Sequence, residues 1–143
     1  MLRYDNMIRP IAISIIKRGN SILVYEREDD ITGEKFYRLV GGCIEFGEQS
    51  SYALEREFRE ELSLEIDICK LLQVFESNFT FNAKQMHEIV FLYLSTFKNK
   101  SNYNKENISG LEGDRTFNAI WIPISDFLNY KHRIYPKEII EYL

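Results

Sequence analysis

The sequence predicts one α+β domain over residues 1–143, richer in antiparallel strand than in helix. Three observations carry that expectation. β-Branched and aromatic residues bunch into short runs separated by turn residues. Only Gln49 to Leu62 has a strong helical period, with Leu54, Phe58 and Leu62 four residues apart. Strand and helix do not alternate as they do in a doubly wound sheet. A chain of 143 residues buries roughly 68–70% of its unfolded surface, so it needs neither disulfide nor structural metal.

Ile8 to Lys17 is a β-branched strand, Arg18-Gly19-Asn20 a turn, and Ser21 to Arg27 a second strand, which together make a hairpin. Glu28 to Lys35 is a polar loop. Phe36 to Val40 is a strand that stops at Gly41-Gly42, and Cys43 to Phe46 is a further extended piece. Ser50 or Ser51 can cap the Gln49–Leu62 helix. Leu64 to Phe75 and Glu88 to Phe97 are strands, with Glu76 to His87 between them as a turn or wide loop. Lys98 to Arg115, rich in Asn, Ser and Gly, is the longest expected loop, long enough to suggest function. Thr116 to Ile122 is the last strand. Ser125-Asp126 caps a short helix through Tyr130, and Pro136 opens a final helix to Leu143.

With 18 basic and 22 acidic residues the formal net charge is -4. Such a chain has no general attraction for nucleic acid or anionic membranes. Any phosphate ligand must meet a local basic patch, a helix N-terminus or a bound cation. No apolar run approaches the ~18 residues of a membrane-spanning helix. Met1-Leu2-Arg3-Tyr4-Asp5-Asn6 carries charge where a signal peptide would be apolar. Cys43 and Cys69 fit no metal spacing and are expected as reduced thiols. The expectation is a cytoplasmic protein.

The informative stretch is Gly42 to Leu64. Glu57, Glu60 and Glu61 are spaced i, i+3, i+4 and share one helix face. That face adjoins the Leu54/Phe58/Leu62 stripe, so the carboxylates belong at the rim of the core. Crowded like charges there call for a compensating charge, and a hard divalent cation supplies it. The plain alternative is a charged, solvated helix face.

The wider spacing decides between them. Gly42, five residues, Glu48, seven residues, then Arg56-Glu57-Phe58-Arg59-Glu60-Glu61-Leu62-Ser63-Leu64 resembles the Nudix box of the MutT-like hydrolases. Ser63 alone departs, standing where the family has glycine. Phe36 to Gly42 resembles the family's strand into a Gly-Gly, with Val40 where many members have proline. Trp121-Ile122-Pro123-Ile124 and Asp126-Phe127 resemble its late strand and short helix.

The resemblance implies an α/β/α sandwich around a mixed, curved sheet, with the box as a catalytic loop-helix-loop. It implies Glu57, Glu60 and Glu61 as ligands of Mg²⁺ or Mn²⁺, with the Gly41 carbonyl beside them. Arg56 pairs with a box glutamate and orients it, and Glu48 supports the box on the substrate side. The implied reaction is hydrolysis of a phosphoanhydride in a nucleoside diphosphate linked to another moiety, with a nucleoside triphosphate or nucleotide sugar as the leading substrate. The general base is Glu60 or Glu61 from the helix, or Glu112 or Glu106 from the long loop, with Glu112 preferred. The markers of ADP-ribose and diadenosine polyphosphate hydrolases are absent. Partners are a small nucleotide, no nucleic acid and no membrane, and a homodimer paired through the exposed edge of an N-terminal strand by analogy with relatives.

Arg38 can reach a substrate phosphate as a bidentate donor or stand as a solvated strand residue. His87 and Glu88 read as ordinary polar residues at a strand edge. Tyr37, Phe46, Phe79 and Phe81 are candidate stacking surfaces whose default is core packing, and Trp121 reads as core. The alternatives to a hydrolase are a Nudix-like domain that binds or regulates without turnover, and a structural metal site on another mixed fold.

Overall fold

The computed structural model describes residues 6–143, so the charged stretch at 1–5 lies outside the described residues. In order the elements are β1 (Ile8–Arg18), β2 (Ser21–Glu28), β3 (Lys35–Leu39), β4 (Gly41–Cys43), α1 (Ser50–Leu62), β5 (Ile66–Phe81), β6 (Lys84–Phe97), β7 (Asn107–Glu112), β8 (Arg115–Pro123) and α2 (Ile124–Leu128). Short 3₁₀ segments occupy Lys100–Asn104 and Lys137–Tyr142.

The strands form one mixed sheet in the order β5-β6-β1-β2-β8-β7, with β3 on β2 and β4 on β1. The β1–β6 pairing is parallel and the other named strand pairs are antiparallel. β1 is buried from Ile11 to Ile16 because each of its faces meets a different core. Ala12 and Ile16 pack with Ala53, Leu54, Phe58 and Leu62 of α1. Ile11, Ile13 and Ile15 pack with Phe127 of α2 and with Ile134 and Ile139 near the C-terminus. The result is the expected sandwich: α1, sheet, and a second helical layer.

The two central strands pair only at Lys17↔Ile22 and Arg18↔Ser21. Beyond that point β1 takes β4 as its neighbour, with Ala12 opposite Gly42, while β2 takes β3, with Tyr25 opposite Arg38. β1 and β2 therefore splay, and a cleft opens where they part.

Several expectations are corrected. The Glu76–His87 loop does not exist, because β5 and β6 run on to a two-residue turn at Asn82-Ala83. Both turn residues are left-handed, at φ 52° and 62°, the conformation that a type I′ hairpin turn demands. In β5, Phe75, Ser77, Phe79 and Phe81 turn inward while Glu76, Asn78 and Thr80 are exposed, a strand period that the polar content masks. The long loop from Lys98 to Arg115 instead holds a 3₁₀ turn capped by Asn99 and the edge strand β7. β7 offers few apolar residues to read, Ile108 being its buried aliphatic anchor. Gly110 lies under the Phe117 ring, which a Cβ would meet at 2.3 Å.

Gln49, not a serine, is the N-cap of α1, and the Ser50 hydroxyl goes to Tyr93 Oη at 2.6 Å. Pro123 occupies the N-cap of α2 without a side-chain cap. Among the described residues β1 is not an edge strand that could pair a second copy, since β6 lies on one side and β2 and β4 on the other; the strand path ends at β5 and β7.

Candidate active site

The cleft has a volume of about 980 Å³. Its walls come from β1 (Arg9, Ile11, Ile13), β2 (Tyr25, Arg27), β3 (Phe36, Arg38), the Gly41-Gly42-Cys43 turn, the β5–β6 hairpin and Glu57 of α1.

The turn brings helix and sheet together by leaving out side chains. A Cβ on Gly41 would lie 2.1 Å from the Ala12 carbonyl oxygen, and one on Gly42 would lie 2.5 Å from the Glu57 carboxyl carbon. Glycine at 42 is thus what lets Glu57 rest against the backbone of β4. Val40 is buried in the α1-side core, and Ser63 ends α1 in the left-handed conformation at φ 56°.

Arg56 ties the box together. Its Nε donates to Glu48 Oε2 at 2.6 Å and its Nη2 to Glu48 Oε1 at 2.8 Å. Nη2 also donates to the Cys43 carbonyl at 3.0 Å. Nη1 donates to Glu57 at 2.9 Å and to Glu60 at 3.2 Å. These five bonds match the guanidinium's donor count. The bond to Glu48 leads the causes that raise the Arg56 pKa above its ordinary value. The same contact holds Glu48 below the usual carboxylate range. Glu48 Oε1 also accepts the Glu45 N–H at 2.8 Å, so Glu48 serves the loop and the helix.

Glu61 is the outlier of the helix. It is 7% exposed, and its Oε1 is buried without a hydrogen-bond partner among the described residues. Burial comes first among the causes that push its pKa far above the usual carboxylate range, followed by a hydrogen bond to Glu57 and the charges of Glu57, Glu112 and Glu60. A buried acceptor without a donor is costly and fits a cation. Among the described residues no three His, Cys, Asp or Glu side chains converge to hold an ion as they stand. Arg56 reaches Glu57 and Glu60 instead, so the donor chemistry fits a hard cation while the charge is met within the helix.

Glu112 ends β7 at the cleft wall. It pairs with Arg115 at 3.2 Å and Arg27 at 3.9 Å. Glu106 is 78% exposed and pairs with Arg18 at 3.3 Å, outside the cleft lining.

Arg38 is not a solvated strand residue, its side chain being 12% exposed, and Glu88 is not at a strand edge. Glu88 lies fully buried within β6 and is shared by Arg38 and Arg9. Sequence reasoning missed this cluster, since Arg9 and Glu88 meet only through the parallel β1–β6 register. Phe79 stacks on Tyr135 at 5.4 Å and Phe81 meets Phe36 edge-on at 5.7 Å. Both also line the cleft. Phe46 is fully exposed and Tyr37 is core. Trp121 is only partly buried, donating to the Lys105 carbonyl at 2.8 Å. Cys43 and Cys69 are free thiols. No helix among the described residues is long and apolar enough to cross a membrane.

Among solved structures, a NUDIX-family hydrolase from Clostridium perfringens is 17% identical, with TM-score 0.64, 99% of this chain and 94% of that chain covered. A MutT NUDIX hydrolase from Burkholderia pseudomallei is 23% identical, with TM-score 0.59, 85% and 87% covered. A UDP-X diphosphatase is 20% identical, with TM-score 0.63, 94% of this chain and 60% of that chain covered. At such identities the likeness bears on the fold. The family model described as NUDIX domain matches residues 7–143. Because that match takes in the box and every strand of the sheet, the chain belongs to the NUDIX family.

Proposed function

We propose that the chain hydrolyses a phosphoanhydride bond in a nucleoside diphosphate linked to another moiety, with Mg²⁺ or Mn²⁺, and that the substrate is a nucleoside triphosphate or a nucleotide sugar. The observation that carries this reading is the Glu61 carboxyl, buried with one oxygen that has no hydrogen-bond partner among the described residues, beside the Glu57 carboxylate that rests against Gly42. The UDP-X diphosphatase is a fold neighbour that acts on a nucleotide derivative by its name.

Glu57, Glu60, Glu61 and the Gly41 carbonyl would hold the ion. When bound, it would neutralise phosphate charge and make a coordinated water acidic. Arg56 donates a hydrogen bond to Glu57, whose side chain is largely shielded, and reaches Glu60, whose side chain is 61% exposed. Arg38 offers its guanidinium to a phosphate oxygen in the cleft. Glu112, held at the wall by Arg27 and Arg115, takes the proton of the attacking water on a carboxylate oxygen.

The test is hydrolysis of a panel of triphosphates, nucleotide sugars and dinucleotides with and without metal. Metal-dependent turnover is expected, lost in Glu61→Gln. Glu112→Gln should lower kcat by roughly 10²–10⁴-fold, the usual worth of a general base. Metal-dependent melting without turnover on any compound would sink the reading in favour of a binding domain. Full kcat in Glu112→Gln would move the base to the helix.

A further inference from the structure

Tyr25 differs from the other tyrosines of the core. It is 7% exposed, and a buried tyrosine hydroxyl normally finds a hydrogen-bond partner. The other two buried tyrosines do so. Tyr93 Oη lies 2.6 Å from the Ser50 hydroxyl, and Tyr37 Oη donates to Glu26 at 3.5 Å. The half-buried Tyr103 Oη accepts the Phe97 N–H at 3.0 Å, and Tyr135 Oη donates to Glu34 at 3.2 Å. Among the described residues the Tyr25 hydroxyl makes no such bond. Phenylalanine would fill the same space, and an unpaired hydroxyl in the core costs free energy. Packing alone gives no reason for the oxygen.

Its position supplies one. The ring packs on Phe117 with centroids 4.8 Å apart. Arg38 stands directly opposite it on β3, and Ala119 directly opposite on β8. Tyr25 lines the cleft and also an adjoining cavity of about 510 Å³ walled by β2, β7 and β8, so it stands where the two meet. Glu112 lines both as well. The charges that act on Tyr25 are those of Arg38, Glu112, Glu61 and Arg27, and the charge of Glu112 also acts on Glu61. The hydroxyl, the α1 carboxyl and the β7 carboxylate therefore converge on one part of the cleft. The hydrolase reading puts the attacked phosphoryl group between those two acids. Carboxylates are acceptors only, so a phosphoryl oxygen there needs a donor from elsewhere. A hydroxyl on a ring fixed by packing is such a donor, and the chemistry described above leaves it unused.

We infer that the Tyr25 hydroxyl is a substrate contact, donating a hydrogen bond to a non-bridging oxygen of the diphosphate held between Glu61 and Glu112. Its part in turnover rests on the hydrolase reading, whereas the contact with a bound diphosphate does not.

Tyr25→Phe keeps the ring and removes one oxygen, and three measurements on the full chain read the result. The first is urea unfolding without metal. A midpoint at or above that of the wild type is expected, since no bond within the fold is lost. A lower midpoint would show that the hydroxyl serves the fold, and would overturn the inference. The second is calorimetric titration with methylenediphosphonate, whose P–C–P bridge resists hydrolysis, at saturating Mg²⁺. Tyr25→Phe should weaken binding roughly ten- to hundredfold, the usual worth of a hydrogen bond to a charged acceptor. Equal affinity in the two proteins, or no binding to the wild type into the tens of millimolar, overturns the contact. The third compares kcat/KM on a compound that the wild type turns over with metal, where a similar fall is expected. Equal values there overturn the role of Tyr25 and leave the hydrolase reading intact. Diphosphonate binding that depends on Tyr25, in a protein that turns over no compound, upholds the contact and overturns the hydrolase reading instead.

Discussion

Ser63 leaves α1 at φ 56° and ψ 37°, with its N–H donating to the Arg59 carbonyl and the Leu64 N–H to that of Phe58. This closure normally uses glycine, since an L side chain there costs roughly 1–2 kcal/mol. Ser63→Gly should therefore raise the unfolding free energy by about 1 kcal/mol in urea titration with kcat unchanged. A neutral or destabilising result would mean that serine is not strained at this position. The site was legible because the box spacing marks that position. Glu88 was not, because its partners Arg9 and Arg38 lie 79 and 50 residues away in sequence. Burial alone would raise its pKa, but the charges of Arg38 and Arg9 outweigh burial and hold it below the usual carboxylate range. The folded state therefore binds this proton less readily than the unfolded one. The stabilisation is present above the unfolded pKa and is lost as pH falls through the folded one. Stability of the wild type should fall on acidification below about pH 4.5, and Glu88→Gln should flatten that slope while costing several kcal/mol (roughly 3–5) near neutrality. An unchanged acid slope of the urea midpoint would show that the ion pairs carry none of it.

At the scale of elements, α1 was readable because two periods coincide on it. Leu54, Phe58 and Leu62 point into the core while Glu57, Glu60 and Arg56 stand at its edge. Phe58 is fully buried. Phe58→Ala should cost about 3–5 kcal/mol, and it should also lower metal affinity, because the carboxylates ride on the helix that Phe58 anchors. Lost stability with full metal affinity would separate the helix's packing from its chemistry. The β5–β6 hairpin was unreadable for the opposite reason. Its turn is Asn82-Ala83, without the glycine that marks a type I′ turn. What holds the tip is remote in sequence. Asp29 Oδ2 accepts the Asn82 N–H at 2.9 Å, and Asp30 N–H donates to Asn82 Oδ1 at 2.7 Å. This strap fixes the wall that carries Phe79 and Phe81. Asp29→Ala should speed hydrogen exchange at the Asn82 amide and raise KM more than it lowers kcat. Unchanged exchange there would show that the turn stands without the strap.

For the whole molecule, the sandwich explains why a cleft exists at all. β1 and β2 pair at one end only, and the glycine turn wedges them apart where α1 presents its carboxylates. The resemblance implied the layers, while the acidic end of the cleft was readable from the sequence because its carboxylates lie within one short helical window. The basic lining was not legible, since Arg9, Arg27, Arg38 and Arg115 come from four strands and converge only once the sheet is assembled. The two ends also predict opposite responses to a cation. In the metal-free protein Glu61 keeps its proton at neutral pH, because burial and the neighbouring carboxylates disfavour its charge. A divalent ion binds the deprotonated form, so binding must expel that proton. Calorimetric titration with Mg²⁺ at pH 7 in buffers of different ionisation enthalpy should show release of close to one proton, and Glu61→Gln should release none. Saturating ion should stabilise the fold by about 2.7 kcal/mol at a hundred times Kd, and that gain should vanish in the same variant. Enthalpies independent of the buffer would mean that Glu61 is already ionised, so the charge of α1 is balanced by Arg56 alone.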